Sequence, residues 1–312
     1  MADSATGADA LLCAKFETSY GVAPTGDFVA LPFISTNFGM TQGLVKSDVL
    51  GFGRRPQKGA RGKKEVGGEI AVPLCTRSIG FWLKLLLGPP VSTAVTGGDS
   101  HVFTAANLKP PSAALEIGHP ALPKYFLSTG VKLNTLAINW ADENTKATLS
   151  LLGQNEVAAA TSSGGTPAAI GSLDRFSAFQ GVVKKGGTAL GIVLGGSVSI
   201  SNELSEFRPI RPDGLATRFD AGQFALTGSL TVRFEGDLLL TEATDGTEIE
   251  LDFGYSATDA SLMFSLPKVQ LPKPKLPIQG PGGIDAEFSW SAFDDGAKSL
   301  TATLINDIES YA

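Results

Sequence analysis

The sequence predicts a mainly β protein of two tandem β-sandwich or barrel domains, each with a short helix. Three observations carry that reading. Apolar and polar residues alternate with period two in run after run, which sends successive side chains to opposite faces of a strand. The chain is rich in turn formers, with 37 glycines and 18 prolines beside only 18% charged residues. The second half also repeats the first in outline. Leu122-Pro123-Lys124, Trp140, Asp142 and Lys146 reappear as Leu271-Pro272-Lys273, Trp290, Asp294 and Lys298, at offsets of 149, 150, 152 and 152. Upstream, Gly68-Glu69-Ile70-Ala71-Val72 matches Gly228-Ser229-Leu230-Thr231-Val232 at an offset of 160. A period this long exceeds that of solenoids, so each copy is expected to be a domain: 1–157, a linker at 158–168, and 169–312.

The elements follow in chain order. Ile70, Val72 and Leu74 alternate with Glu69, Ala71 and Pro73, an amphipathic strand. Ile79, Trp82, Leu83 and Leu86 fall on one stripe of a helix over about 76–87, stopped by Gly88-Pro89-Pro90. Ile138-Asn139-Trp140 is the strand that leads into an acidic turn. Residues 158–167 are small and flexible in composition, as a linker is. In the second copy Leu230, Val232 and Phe234 alternate with polar residues, and a weaker helix is expected over 237–242. Ile249, Leu251 and Phe253, then Ala286, Phe288 and Trp290, mark two more strands. Between them Pro267, Pro272, Pro274 and Pro277 define an extended edge or surface arm, because proline cannot donate to a ladder. Such alternation belongs to antiparallel sheets.

Two cysteines, Cys13 and Cys75, are too few for a disulfide scaffold or a structural zinc site and read as reduced thiols. Met1 to Ala5 lacks the features of a signal peptide, and the apolar patch 79–87 is too short to span a bilayer, so a soluble protein without membrane insertion is expected. His101 and His119, the only histidines, have no ligand-spaced partner, and there is no GxSxG elbow. Neither Gly51-Phe52-Gly53-Arg54-Arg55 nor Lys184-Lys185-Gly186-Gly187 fits a phosphate loop. No residue set supports an enzyme, and no cofactor or metal is expected.

Charge is the most uneven property. Residues 46–64 hold Lys46, Arg54, Arg55, Lys58, Arg61, Lys63 and Lys64 against one acid, Asp48, while the whole chain carries −6. The rest of the chain, with 18 basic and 30 acidic residues, is therefore an acidic body. The basic segment suits a protein docking loop; phosphate gripping is the alternative, though base-stacking aromatics are missing apart from Phe52. The acidic pairs Asp142/Glu143 and Asp294/Asp295 read as hairpin turns, where Asp and Asn are favoured for their backbone conformations.

The runs Glu17-Thr18-Ser19-Tyr20-Gly21-Val22-Ala23-Pro24-Thr25-Gly26, Leu31-Pro32-Phe33 and Ser47-Asp48-Val49-Leu50-Gly51-Phe52-Gly53-Arg54-Arg55-Pro56 resemble the tail tube proteins of long-tailed bacteriophages. Gly67-Gly68-Glu69-Ile70-Ala71-Val72-Pro73, the Phe81-to-Gly88 helix and His101-Val102-Phe103 extend the resemblance over residues 15–155, and the second copy follows in outline. The resemblance implies a virion protein whose strands join neighbouring subunits into rings, stacked as a conduit for DNA. With two units per chain it implies homotrimeric, pseudo-hexameric rings. Viral DNA and a tape measure protein would occupy the lumen, and tail terminator and tail tip proteins the ends. Assembly would take place in the host bacterial cytoplasm. Lumen strands are then expected near 29–47, 65–75, 131–140 and 145–152, and near 192–207, 222–235, 281–290 and 298–305, with Glu69, Asp285 and Glu287 on the lumen face. Ring stacking is expected to use Arg54, Arg55, Lys58, Arg61, Lys63 and Lys64 of one ring against Asp142, Glu143, Asp294 and Asp295 of the next. Another ring-forming tail component, a terminator or baseplate hub, and a nucleic-acid binder using residues 54–64 are the competing readings.

Overall fold

In the computed structural model of the chain, the apolar positions of the alternating strands meet in a continuous core that runs through both halves. The structure describes residues 4–105, 109–140, 145–171, 173–236, 239–278, 280–294, 296 and 298–311. The main elements of the first half are β1 (Leu11–Phe16), β2 (Gly39–Val45), β3 (Ala60–Pro73), α1 (Ile79–Leu87), β4 (Val91–Val95), β5 (Gly98–Thr104), β6 (Ala113–His119), β7 (Lys124–Asn139), β8 (Lys146–Gly153) and β9 (Asn155–Ala159). Those of the second are β10 (Gly181–Lys185), β11 (Val193–Ser201), β12 (Ala225–Arg233), α2 (Leu240–Asp245), β13 (Ile249–Ser256), β14 (Ser261–Gln270), β15 (Asp285–Ala292) and β16 (Thr301–Asn306).

One antiparallel sheet crosses the whole molecule in the order β2–β3–β8–β7–β11–β12–β15. Its apolar face is covered by a second layer in each half. In the first half this layer is β1–β6–β7–β9. In the second it is β10–β13–β14–β16, continued by β5 and β4 of the first half. Strand β7 serves both layers: residues 124–131 pair with β6, and 132–139 with β8 and β11. The change of layer falls at Gly130, whose φ of 64° disfavours a side chain and whose Cβ would strike Gln154.

The duplication is present, but its strand correspondence differs from the one the sequence suggests. Equating β3 with β12 at an offset of 160, ladder registers equate β2 with β11 at 160, β8 with β15 at 139 and β7 with β14 at 138. Trp290 therefore stands at the place of Leu151, not of Trp140, and the matched tryptophans mark unrelated places. Each alternating strand satisfies the same pattern, so pattern alone selects the wrong partner. Residues 301–306, expected beside 285–290 in one sheet, lie instead in the second layer. Asp294 consequently sits in a connection between layers rather than in a hairpin turn.

The fourth strand of the central sheet forms only in the first half. There it is Lys132–Asn139; in the second half the same stretch begins at Gln270 and carries Pro272, Pro274 and Pro277. The chain leaves the ladder at Gln270, as proline substitution of ladder donors requires. The β4–β5 hairpin is an insertion of the first half, since α2 runs almost directly into β13.

Helix α1 is buried on every side, not along one stripe: all residues from Ile79 to Leu87 are buried, Lys84 included. The Lys84 ammonium lies 4.1 Å from the centre of the Phe16 ring, and burial lowers its pKa. Helix α2 starts at Leu240, later than expected; Asp237 and Leu238 lie outside the described residues. Among the described residues no helix is long and apolar enough to cross a membrane.

Candidate assembly interface

The face of the central sheet opposite the core is lined by small polar side chains. Directly opposed residues share a face, so the registers place Glu69, Ser150, Thr135 and Ser201 in one row, and Ala71, Thr148, Ala137, Ser199, Thr227 and Ser291 in the next. Hydroxyls bridge neighbouring strands: Thr135 Oγ1 lies 3.2 Å from Ser201 Oγ, and Ser197 Oγ 3.0 Å from Ser229 Oγ. Glu69, Asp285 and Glu287 are all exposed on this face, together with Glu65. Asp285 is paired with Arg233 at 2.7 Å. The opposite face carries Ile70, Val72, Leu149, Leu136, Val198, Leu230, Phe288 and Trp290, all buried.

Several contacts among the described residues hold the halves together, including a short pairing of Ala168–Ala169 with Val29–Ala30; three others are more extensive. The first is the β7–β11 ladder, which Asn202 extends by donating from Nδ2 to the carbonyls of Leu86 and Leu133, both at 3.0 Å. The second is a clasp, in which β5 pairs with β16 and Arg77 reaches Asp174 and Asp307 of the second half. Asn306 donates to the Thr76 carbonyl and the Tyr311 hydroxyl, both at 2.7 Å, and His101 lies 2.8 Å from the Ile308 carbonyl. Burial raises the Tyr311 phenol well above its ordinary range. The third is the connection between β11 and β12, which leans onto the first half through Arg208 and Thr217.

Among the described residues no full strand lies beyond either end of the central sheet; past β15 only Val269 and Gln270 pair, with Ala292 and Ser291. At one end Asn37 N–H donates inward to Glu69 O, so alternation turns the Met40 N–H outward, where Glu156 Oε2 accepts it at 3.1 Å. Burial raises the pKa of Glu156, against the bonds from Met40 and Ser128. The other end is the proline segment after Gln270.

Lys46, Arg54, Arg55 and Lys58 lie on the connection between β2 and β3, and Arg61, Lys63 and Lys64 on the start of β3. Lys46, Arg54, Arg55, Lys58, Arg61 and Lys63 are exposed and Lys64 is half-buried; among the described residues none of these side chains is in an ion pair. Between them stand exposed apolar residues: Leu44, Val45, Val49, Leu50 and Phe52, with Leu50 91% accessible. The second half carries an equivalent hairpin over 202–224, but it is not basic: Arg208, Arg211 and Arg218 are paired to Glu206, Asp213 and Asp220. Asp294 is exposed and accepts from Gly296 N–H at 2.9 Å. Asp142, Glu143 and Asp295 lie outside the described residues.

A duplicated β unit with a polar sheet face and open edges belongs to the class of structural building blocks. A family model described as phage tail tube protein matches residues 7–292, and the chain belongs to that family. A search of curated proteins finds no match.

Proposed function

We propose that three copies of this chain close into a ring of six β units and that stacked rings form the tail tube, the conduit for DNA. The units are residues 1–157 and 169–312, joined by 158–168. One observation carries the reading: a single sheet spans both halves with no full strand beyond either end among the described residues, and such an open edge is satisfied by pairing with another copy. Closing the row into a cylinder removes all such edges. The polar face, acidic at Glu65, Glu69, Asp285 and Glu287, would line the lumen and repel the phosphates of passing DNA. The basic hairpin would be a contact between copies. A tape measure protein inside the lumen, terminator and tip proteins at the ends, and assembly in the host cytoplasm complete the proposal.

Negative-stain microscopy of the purified chain tests it. Tubes whose end-on views show six lateral densities and threefold periodicity are expected. Single rings that never stack would point to a terminator or hub, and dispersed monomers under all conditions would reject self-assembly.

A further inference from the structure

The two β–β hairpins of the central sheet are equal in length and equivalent in register. Ser205 pairs with Asp220 in the second half, and Val45 with Ala60 in the first, an offset of 160 on both strands. Yet the second leaves the central sheet as a separate ribbon, while the first continues the β2–β3 ladder to Val45 and Ala60 past a bulge at Gly43. The second departs at Glu203, the only non-glycine residue with positive φ among those described (45°), and at Gly222, whose N–H donates to the Asn202 and Glu203 carbonyls at 3.0 and 3.1 Å.

That departure lays the hairpin across the neighbouring half. Arg208 Nη1 donates to Lys64 O at 2.7 Å, and Lys64 N–H donates to Gly214 O at 3.2 Å. Gln154 Nε2 donates to Thr217 O at 3.1 Å, and Lys132 Nζ to Phe219 O at 2.9 Å.

At the positions equivalent to Glu203 and Gly222 the first half has Gly43 and Gly62. The β2–β3 register slips between Gln42 and Leu44, at Gly43 itself, and a Cβ there would meet nothing within 4 Å. The first hairpin thus has the pivot of the second, a glycine free to take the left-handed conformation, and open space around it. Among the described residues no strand of its own chain lies beyond β2 for it to fold onto, because β2 is the outer strand of the sheet.

We propose that the 44–61 hairpin pivots at Gly43 and Gly62 and lies across the second half of the adjacent chain in the same ring. This rests on the ring reading above. The receiving residues are those equivalent to Lys64, Lys132 and Gln154, namely Phe224, Gln270 and Phe293, with exposed Asp294 beside them to meet the hairpin's unpaired cations. The occupant is a second copy of this chain, because the seam inside the chain is already the same docking, completed. The contact is lateral, whereas charge alone suggested docking onto the next ring.

The test combines Gln57→Cys with Phe293→Cys, the equivalents of Thr217 and Gln154, in purified assemblies treated with a short bismaleimide. Cys13 and Cys75 are buried, so the introduced thiols react selectively. Chain-to-chain products up to a closed trimer are expected in single rings, and neither single variant should give them. In parallel, Gly43→Val should reduce closed rings at least tenfold with the monomer's thermal midpoint unchanged, and Gly43→Asn, which tolerates left-handed φ, should restore them. Rings that form normally with Gly43→Val, or cross-links that appear only in stacked tubes, would overturn the proposal. Wild-type chain that forms no rings at all would reject the ring reading itself.

Discussion

Arg77 Nε stands 2.7 Å from Asp307 Oδ1 while its Nη2 stands 2.7 Å from Asp307 Oδ2, a bidentate tie between the approach to α1 and the C-terminal segment. Asp174 takes the remaining edge of the same guanidinium. One side chain of the first half thus holds two separate segments of the second. The arginine is mostly enclosed, but both carboxylates are more than half exposed, so solvent screening limits its worth. Arg77→Ala is expected to cost about 1 kcal/mol, read as a lower urea midpoint with unchanged slope. Arg77→Lys should recover less than half, since an ammonium cannot make the fork.

The same pair fixes one sign of the pH dependence. Hydrogen bonds from Arg77 hold the Asp307 carboxyl below its ordinary value. A depressed folded pKa gives stability that is present above the unfolded pKa of about 3.9 and is lost as pH falls through the folded value. Glu156 has the opposite sign. Burial raises its folded pKa, so protonation favours the fold, and stability is gained as pH falls through that raised value. Thermal midpoints measured from pH 7 down to 3 should therefore separate the two. Asp307→Asn flattens the acid-side loss, and Glu156→Gln removes the gain near and above the ordinary carboxylate pKa.

Much of this fold was legible in residues that obey a local rule. Alternation at Ile70-Val72 and Phe288-Trp290 located the strands and their buried faces, and Pro272, Pro274 and Pro277 marked the segment that leaves the ladder. Pairing was not legible. Which strand lies beside β12 depends on contacts between residues about 60 apart, and β8 and β15 carry the same alternation as their rivals. The polar face was readable at Glu69, Asp285 and Glu287, because exposure on an amphipathic strand follows from period. The equivalence of the two hairpins was not legible from charge, because Arg208, Arg211 and Arg218 each sit two residues from their own acid. Matching Gly43 and Gly62 to Glu203 and Gly222 at a fixed offset would have been the available signal.

Gly228 tests the packing between β12 and β15. A Cβ there would strike the Ser197 carbonyl and the Trp290 ring, and neither backbone nor buried indole can give way. Gly228→Val should destabilise by at least about 2 kcal/mol, since overpacking a close backbone approach displaces the strand. Gly51→Val, on the exposed hairpin, meets nothing within 4 Å, though its φ of 99° carries local strain. Chemical denaturation of both variants should put the loss mainly on Gly228.

The charge of the polar sheet face can be reversed without touching the core. Glu69 and Glu287 are exposed there and have no ion pair among the described residues, so reversing them should leave folding nearly unchanged, within about 0.5 kcal/mol. If this face lines a DNA conduit, Glu69→Lys/Glu287→Lys places two cations per chain where phosphates pass. Assembled tubes of that variant should then bind duplex DNA at low salt, where wild-type tubes do not. Each engaged lysine should steepen the fall of log affinity with log salt by roughly 0.9. A variant that assembles normally but gains no DNA binding at low salt would place this face away from the lumen.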